Sequence, residues 1–140
     1  MSPASPSRIC ALTCDVDPSA QLVRCVYYRQ PEFAEWRGTM ERVLAQAAFR
    51  PVNLLSDRRL LVEAASPAVI RQMADFVIRH RHTFDGGRWA VVVAPAHRAE
   101  YGMARMGSAL FERAGVQLRP FTDYETAWNW VTGWRAETDW

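Results

Sequence analysis

The chain alternates short apolar runs with longer stretches in which apolar residues recur every three or four positions. The runs occupy residues 11–15, 22–28, 52–55, 88–95 and 116–121. Runs of this length are typical of strands rather than helices, so the pattern predicts five strands. The turn sequence "DPSA" separates the first two runs, and we expect these two strands to form an antiparallel hairpin.

Four stretches with helical spacing lie between and after the later runs. The first follows Pro31, and the second should begin at the N-cap Ser66 with a proline in its first turn. The third extends from about Arg98 to Ala114, and the fourth follows the N-cap Asp123. The residues expected to face the core are Phe33, Trp36, Met40, Val43, Leu44 and Ala47, then Val69, Ile70, Met73, Phe76 and Val77, then Met103, Met106 and Leu110, and finally Trp128 and Val131.

This order of elements predicts an α/β fold. Strands joined through helices pair in parallel by right-handed crossovers. We therefore expect a single domain with a mixed five-stranded sheet, in which an N-terminal β-hairpin precedes alternating helices and parallel strands, flanked by four helices. Residues 1–8 contain two prolines and three serines and are expected to be a disordered lead-in.

Charge and composition restrict the classes of partner. Of the 140 residues, 49% are hydrophobic and 23% charged, and the net charge is only +2, too small a field to attract nucleic acid. Basic residues do cluster at 79–82, where a helix C-terminus favours cations. No run reaches the roughly 18 apolar residues of a membrane span, and the N-terminal residues lack the apolar core of a signal peptide. The predictions are no nucleic-acid partner, no membrane span and a cytoplasmic location.

The three cysteines are Cys10, Cys14 and Cys25, an odd number confined to the predicted hairpin. Their spacing differs from that of common zinc sites, and no histidine follows at ligand spacing. We interpret them as free, partly buried structural thiols, and we predict no metal site and no cofactor.

Several segments resemble one family. The strand "WAVVVAP", the following "YGMARMGSALFERAG" and the closing "VQLRPFTDYETAWNWV" are similar to the STAS-like (SpoIIAA-like) proteins, which are named for sporulation anti-anti-sigma factors. The likeness covers residues 9–134, which leaves 135–140 as a tail, and residues 89–131 most resemble an uncharacterised bacterial branch. The resemblance implies a small α/β domain that acts by binding rather than by catalysis.

The resemblance also implies a candidate phosphorylation site. The best-understood relatives carry a phosphorylatable serine directly after the third strand, where phosphate disrupts docking to a kinase partner. Ser56 is nearest to that position, although a nine-residue segment separates it from the helix cap at Ser66. Both serines are candidate phosphosites, and the alternative is that Ser66 only caps its helix while Ser56 begins a turn.

The carboxyl ends of the parallel strands should form a polar rim that binds a ligand or a partner, because loops and helix N-termini converge there. The rim residues predicted from the sequence are Ser56, Asp57, Arg58, His97, Tyr101, Arg105 and Asp123. The strand end is expected to bring Ser56 to the surface. The alternatives are that Arg58 and Arg59 only pair with Asp57 or Glu63, and that Arg105 is an exposed helix residue.

The C-terminal part of the chain is rich in tryptophan. Trp128 and Trp130 are separated by about 200° around a helix, so at least one should be partly exposed. Trp130 or Trp134 is therefore a candidate for a homodimer or partner surface, because exposed aromatic residues are enriched at interfaces.

No nucleophile, base and acid are arranged for catalysis, and no glycine-rich loop follows a strand, so we predict no catalytic residues and no enzyme activity. The leading interpretation is a regulatory or protein-interaction module with an unknown protein partner, under the control of phosphorylation or an anionic ligand. The alternative is a carrier or sensor that holds an anionic or amphipathic small molecule between the sheet and a helix.

Overall fold

The computed structural model describes residues 10–96 and 98–133. The predicted lead-in at 1–8 and tail at 135–140 lie outside these residues, as do His97 and Trp134. Within the described part of the chain, no helix has both the length and the apolar character needed to cross a membrane.

The described residues form a mixed five-stranded sheet, as the sequence predicts. Its strands are β1 (Leu12–Asp17), β2 (Leu22–Tyr27), β3 (Asn53–Asp57), β4 (Arg88–Val92) and β5 (Gln117–Phe121). Their spatial order is β1-β2-β3-β4-β5, with β1 antiparallel to β2 and each later pair parallel. The N-terminal hairpin and the parallel central strands are therefore confirmed.

In the described part of the chain, five α-helices accompany the sheet, one more than the sequence predicts. They are α1 (Phe33–Gln46), α2 (Pro67–Arg79), α3 (Arg81–Phe84), α4 (Arg98–Phe111) and α5 (Tyr124–Thr132), and a 3-10 turn over Glu112–Ala114 follows α4. The additional helix, α3, arises because His80 leaves helical geometry at φ −108° and ψ 27°, after which the N–H of Asp85 donates to the carbonyl of Arg81. One isolated turn is too short to produce a periodic pattern, which is why the sequence does not reveal it.

The helices are divided between the two faces of the sheet. Right-handed crossovers between neighbouring parallel strands place their connecting helices on one face. Accordingly, α1, α2 and α4 share a buried cluster with Val23, Leu54 and Trp89, and we call this the helix-side face. Helix α5 packs on the opposite face, the α5-side face, through Ala127 and Val131.

Local signals at the helix ends agree with the sequence prediction. The Ser66 hydroxyl accepts a hydrogen bond from the Val69 N–H at 3.2 Å, and the Asp123 carboxylate accepts one from the Thr126 N–H at 2.8 Å. Gly115 ends the α4 segment at φ 76°, where a Cβ atom would lie 1.8 Å from an Asp85 oxygen. Only glycine fits this position without displacing its neighbour.

The inward face of α4 differs in part from the prediction. Met106 is 39% exposed, because α4 turns Gly107 and Phe111 towards the core instead. A Cβ atom at Gly107 would lie 3.3 Å from Ile70, so this side of α4 lies close against α2. In α5 the buried residues are Ala127 and Val131, and Trp128 is half-buried and packs against the same cluster.

Candidate functional site

Strand β3 continues beyond its apolar run and separates the polar residues that follow. The Arg58 N–H still donates to the Val92 carbonyl at 2.8 Å, so the extended pairing with β4 persists to that residue. Successive side chains of a strand point to opposite faces. Ser56 and Arg58 therefore lie on the helix-side face, and Asp57 and Arg59 on the α5-side face.

Ser56 is buried, contrary to the expectation that the strand end would bring it to the surface. Its side chain is 2% exposed, and its hydroxyl accepts a hydrogen bond from the Trp89 indole N–H at 3.1 Å. The reason is that β3 ends at Asp57, two residues after the apolar run, so Ser56 is still a core position of the strand. Ser66, the second candidate phosphosite, is exposed at the start of α2.

Asp57 and Arg59 form an ion pair on the α5-side face. The Arg59 guanidinium lies 2.8 Å from the Asp57 carboxylate, which also accepts the Arg59 backbone N–H at 3.1 Å. This hydrogen bonding raises the pKa of Arg59, and its guanidinium lies 5.0 Å from the Tyr124 ring centroid. The predicted alternative, a local pairing of these charges, is thus confirmed for Arg59.

Arg58 is a buried cation next to an aromatic ring. It is 6% exposed, its guanidinium donates to the side-chain oxygen of Gln30, and it lies 4.7 Å from the Tyr27 ring centroid. Tyr27 is itself buried and accepts a hydrogen bond from the Trp36 indole N–H at 3.1 Å. Burial raises the pKa of the Tyr27 phenol, so the ring beside the arginine is neutral.

Beside Arg58 is a cavity of about 60 Å³ between the sheet, α2 and α4, which we call the helix-side pocket. The residues that line it are Tyr27, Ser56, Trp89, Val91 and Leu118 from the sheet, Ile70 and Met73 from α2, Met103, Ala104, Gly107 and Phe111 from α4, and Arg58 and Ala65 from the segment after β3. Among these residues only Arg58 carries a charge. The pocket is therefore an apolar space with one buried cation in its wall.

The remaining predicted rim residues do not join this pocket. Tyr101 lies with Arg98 and Thr122 in a separate cleft of about 360 Å³ at the ends of β4 and β5. Arg105 is exposed on α4. Asp123 caps α5, and the hydrogen bond from the Thr126 hydroxyl lowers the pKa of its carboxyl group. The sequence-predicted rim is thus distributed over two faces and one edge, and His97 lies outside the described residues.

The sequence prediction missed the residues that create the pocket. Tyr27 and Trp89 belong to strands that were recognised, but nothing in their local pattern shows that they meet Arg58 and Ser56. A signal was present in α4, where the small residues Ala104 and Gly107 follow each other at helical spacing. Small side chains on an inward helix face leave space against the sheet, and that space is the pocket.

Aromatic residues of α5 lie against arginines from the strands. The guanidinium of Arg24 is 5.9 Å from the Trp128 ring centroid, and those of Arg88 and Arg119 are 5.0 and 5.2 Å from the Trp130 ring centroid. Both tryptophans are half-buried. The suggested partner surface at Trp130 stays a prediction.

Within residues 10–96 and 98–133, no three His, Cys, Asp or Glu side chains are grouped closely enough to hold a metal ion.

Comparisons with protein-family models, with curated proteins and with solved structures find no match for this chain.

Proposed function

We propose that this protein is a non-catalytic, ligand-controlled binding module of the STAS-like kind, and that its ligand is a small amphipathic carboxylate held in the helix-side pocket. The observation that carries the proposal is the buried guanidinium of Arg58 at an otherwise apolar cavity. The proposal joins both sequence interpretations, the regulatory module and the carrier of an anionic ligand. A cytoplasmic location and a protein partner stay predictions within it.

The chemistry of Arg58 favours an anion. The guanidinium now donates to Gln30, a neutral amide that comes from the loop after β2. A carboxylate in place of the amide oxygen would convert this contact into an ion pair with two parallel hydrogen bonds. Because the site is buried, such a pair would be screened less by solvent than one at the surface.

The size of the pocket favours a short apolar tail. At about 60 Å³ it is smaller than the ~150 Å³ of a cavity that accepts benzene. Met73 and Met103 line the pocket, and methionine side chains adapt readily to the shape of an apolar group. We therefore favour a short-chain aliphatic carboxylate over a fatty acid or an aromatic acid.

The segment after Arg58 supports the regulatory part of the proposal. The Leu61 N–H donates to the Arg58 carbonyl at 3.1 Å, and Leu61 is buried. Its neighbours Leu60 and Val62 are 64% and 79% exposed. Exposed apolar residues on a single segment suit contact with a partner protein. A ligand that moves Arg58 would shift this surface, because the two are consecutive in the chain.

The test is calorimetric titration of the purified full chain with acetate, propionate, butyrate and octanoate, and with butanamide as the neutral analogue of butyrate. We expect saturable binding of the short carboxylates and no binding of butanamide. Native mass spectrometry of the untreated protein would reveal a ligand retained from the cell.

Three substitutions make the test specific. Arg58→Gln should reduce the affinity at least tenfold, whereas Arg59→Gln removes the same charge from the opposite face and should leave binding unchanged. Ala104→Leu should also abolish binding by filling the pocket without changing its charge. If butanamide binds as well as butyrate, or if Arg58→Gln folds and binds normally, the proposal is wrong.

A further inference from the structure

Cys14 and Cys25 lie directly opposite each other in the antiparallel hairpin of β1 and β2. Side chains of opposed residues point to the same face of a sheet. Both thiols are on the helix-side face, where Cys25 is part of the buried cluster and Cys14 is half-buried against it. The third cysteine, Cys10, is exposed and precedes β1.

The hydrogen bonding of the hairpin shows which kind of pair this is. The Tyr28 N–H donates to the Ala11 carbonyl at 2.7 Å, so these opposed residues form a hydrogen-bonded pair. Hydrogen-bonded and non-hydrogen-bonded pairs alternate along an antiparallel ladder. The pair of Cys14 and Cys25, three steps along, is therefore a non-hydrogen-bonded pair.

This position suits a disulfide. In a non-hydrogen-bonded pair the two Cα atoms are about 4.5 Å apart, within the ~4.4–6.8 Å that disulfides require. The opposed register brings the two thiols close together. Burial raises the pKa of Cys25, and its interaction with the Cys14 side chain raises it further. Formation of the bond needs side-chain rotation and no strand displacement.

We propose that Cys14 and Cys25 form a reversible oxidation site at which a hydroperoxide converts the two thiols into a cross-strand disulfide. This goes beyond the sequence interpretation of the cysteines as structural thiols, and it is independent of the ligand in the helix-side pocket.

The more accessible Cys14 reacts first. Its thiol loses a proton to solvent, and the sulfur attacks one oxygen of the hydroperoxide. The O–O bond breaks, a proton from solvent converts the leaving oxygen into an alcohol or water, and Cys14 becomes a sulfenic acid. The sulfur of Cys25 then attacks the Cys14 sulfur. The S–O bond breaks, the hydroxyl group leaves with the Cys25 proton as water, and the S–S bond forms. The two thiols have lost two electrons in total, which have reduced the O–O bond.

The experiment uses the full chain with Cys10→Ser, which removes the exposed thiol. The protein is treated with hydrogen peroxide, unfolded in an alkylating agent and digested with trypsin, which cleaves after Arg24 and separates the two cysteines. We expect a linked pair of peptides, residues 9–24 and 25–29, that dithiothreitol separates. The oxidised chain should also unfold at a higher temperature than the reduced chain, because the bond restricts the unfolded state.

The control is the same chain with Cys14→Ala added, which should give neither the linked peptides nor the higher unfolding temperature. Alkylation of both cysteines after peroxide treatment would overturn the proposal. So would a linkage between two chains, or a sulfinic acid at Cys14 with Cys25 unmodified.

Discussion

Three long helices cover the helix-side face of the sheet, whereas the nine-residue α5 covers the other face. On the helix-side face, Trp89 lies 6.3 Å from Trp36 and 4.8 Å from Phe111 between ring centroids, and the two indoles stack at 11°. On the α5-side face, Trp128 and Trp130 are half-buried and lie against arginines.

The difference shows how one alternating pattern produces two kinds of interior. Trp36, Trp89 and Phe111 on the helix-side face are almost fully buried, so each removes a large apolar area from water. Aromatic residues beside α5 retain solvent contact and partner cations, so each contributes less. The buried cation Arg58 belongs to the first environment, and its exposed neighbour Arg59 to the second.

Removal of α5 should have the largest effect. Deletion of residues 123–140 would expose Leu22, Leu55, Ala90 and Val92, which are buried in the described structure. We expect insoluble protein or loss of cooperative unfolding, measured by circular dichroism during heating. The control Asn129→Ala, on the exposed side of α5, should unfold like the wild type. A soluble truncated chain with an unchanged thermal unfolding transition would contradict this prediction, because the α5-side face would then be stable without α5.

Removal of a single tryptophan should destabilise the protein more on the helix-side face than on the α5-side face. Trp89→Ala should lower the free energy of unfolding by about 3–5 kcal/mol, because the buried indole leaves a cavity among stacked rings. Trp130→Ala should cost only about 1–2 kcal/mol, because its ring is half-buried. Urea denaturation of both variants checks this, and equal losses would contradict the comparison.

Substitution of either candidate phosphosite by alanine should lower stability, for a different physical reason at each position. Ser56→Ala leaves the buried Trp89 indole N–H without its acceptor and should cost about 1–3 kcal/mol. Ser66→Ala removes an exposed N-cap and should cost about 1 kcal/mol.

Ser66→Asp, which mimics phosphorylation and keeps the cap, should remain within about 0.5 kcal/mol of the wild type by urea denaturation. If Ser56→Asp were equally well tolerated, Ser56 would have to be more accessible than its burial indicates.

The smallest expected effects are those of pH, and they should have opposite signs in the two regions. Above pH 9.0, the ordinary pKa of cysteine, the unfolded chain releases the Cys25 proton while the folded chain, whose pKa is raised by burial, keeps it. The free energy of unfolding should therefore fall as the pH rises. The pKa of Asp123 is lowered from 3.8 by its hydrogen bond with Thr126, so its contribution is present above that pH and lost as the pH falls through the folded pKa.

Urea midpoints at about pH 3, 7 and 10 measure both the acid loss and the alkaline loss of stability. Cys25→Ala should reduce the alkaline loss only, and Asp123→Asn, which keeps a capping side chain, should reduce the acid loss only. If Cys25→Ala altered the acid loss, or Asp123→Asn the alkaline loss, the assignment of these losses to Cys25 and Asp123 would be wrong.

Local features of the sequence were sufficient for the architecture. Hydrophobic spacing, the caps at Ser66 and Asp123 and the stop at Gly115 depend on residues within a few positions of one another, so they can be read without a tertiary structure. They predicted five strands, the hairpin, the parallel order and four of the five helices. The end of β3 was not predictable in this way, because Ser56 and Asp57 continue the strand through pairing with both β2 and β4.

The candidate site depended on long-range packing. Ser56, Asp57, Arg58 and Arg59 are consecutive, and the sequence grouped the first three as one rim, but the side-chain alternation of β3 divides them between two faces. The helix-side pocket forms where Tyr27 and Trp89, 62 positions apart in the chain, meet the small residues of α4. The sequence by itself determined the five strands, the four longer helices and their order along the chain. The tertiary structure decided which side chains meet, because burial of Arg58 and rotation of α4 result from contacts between elements distant in the chain.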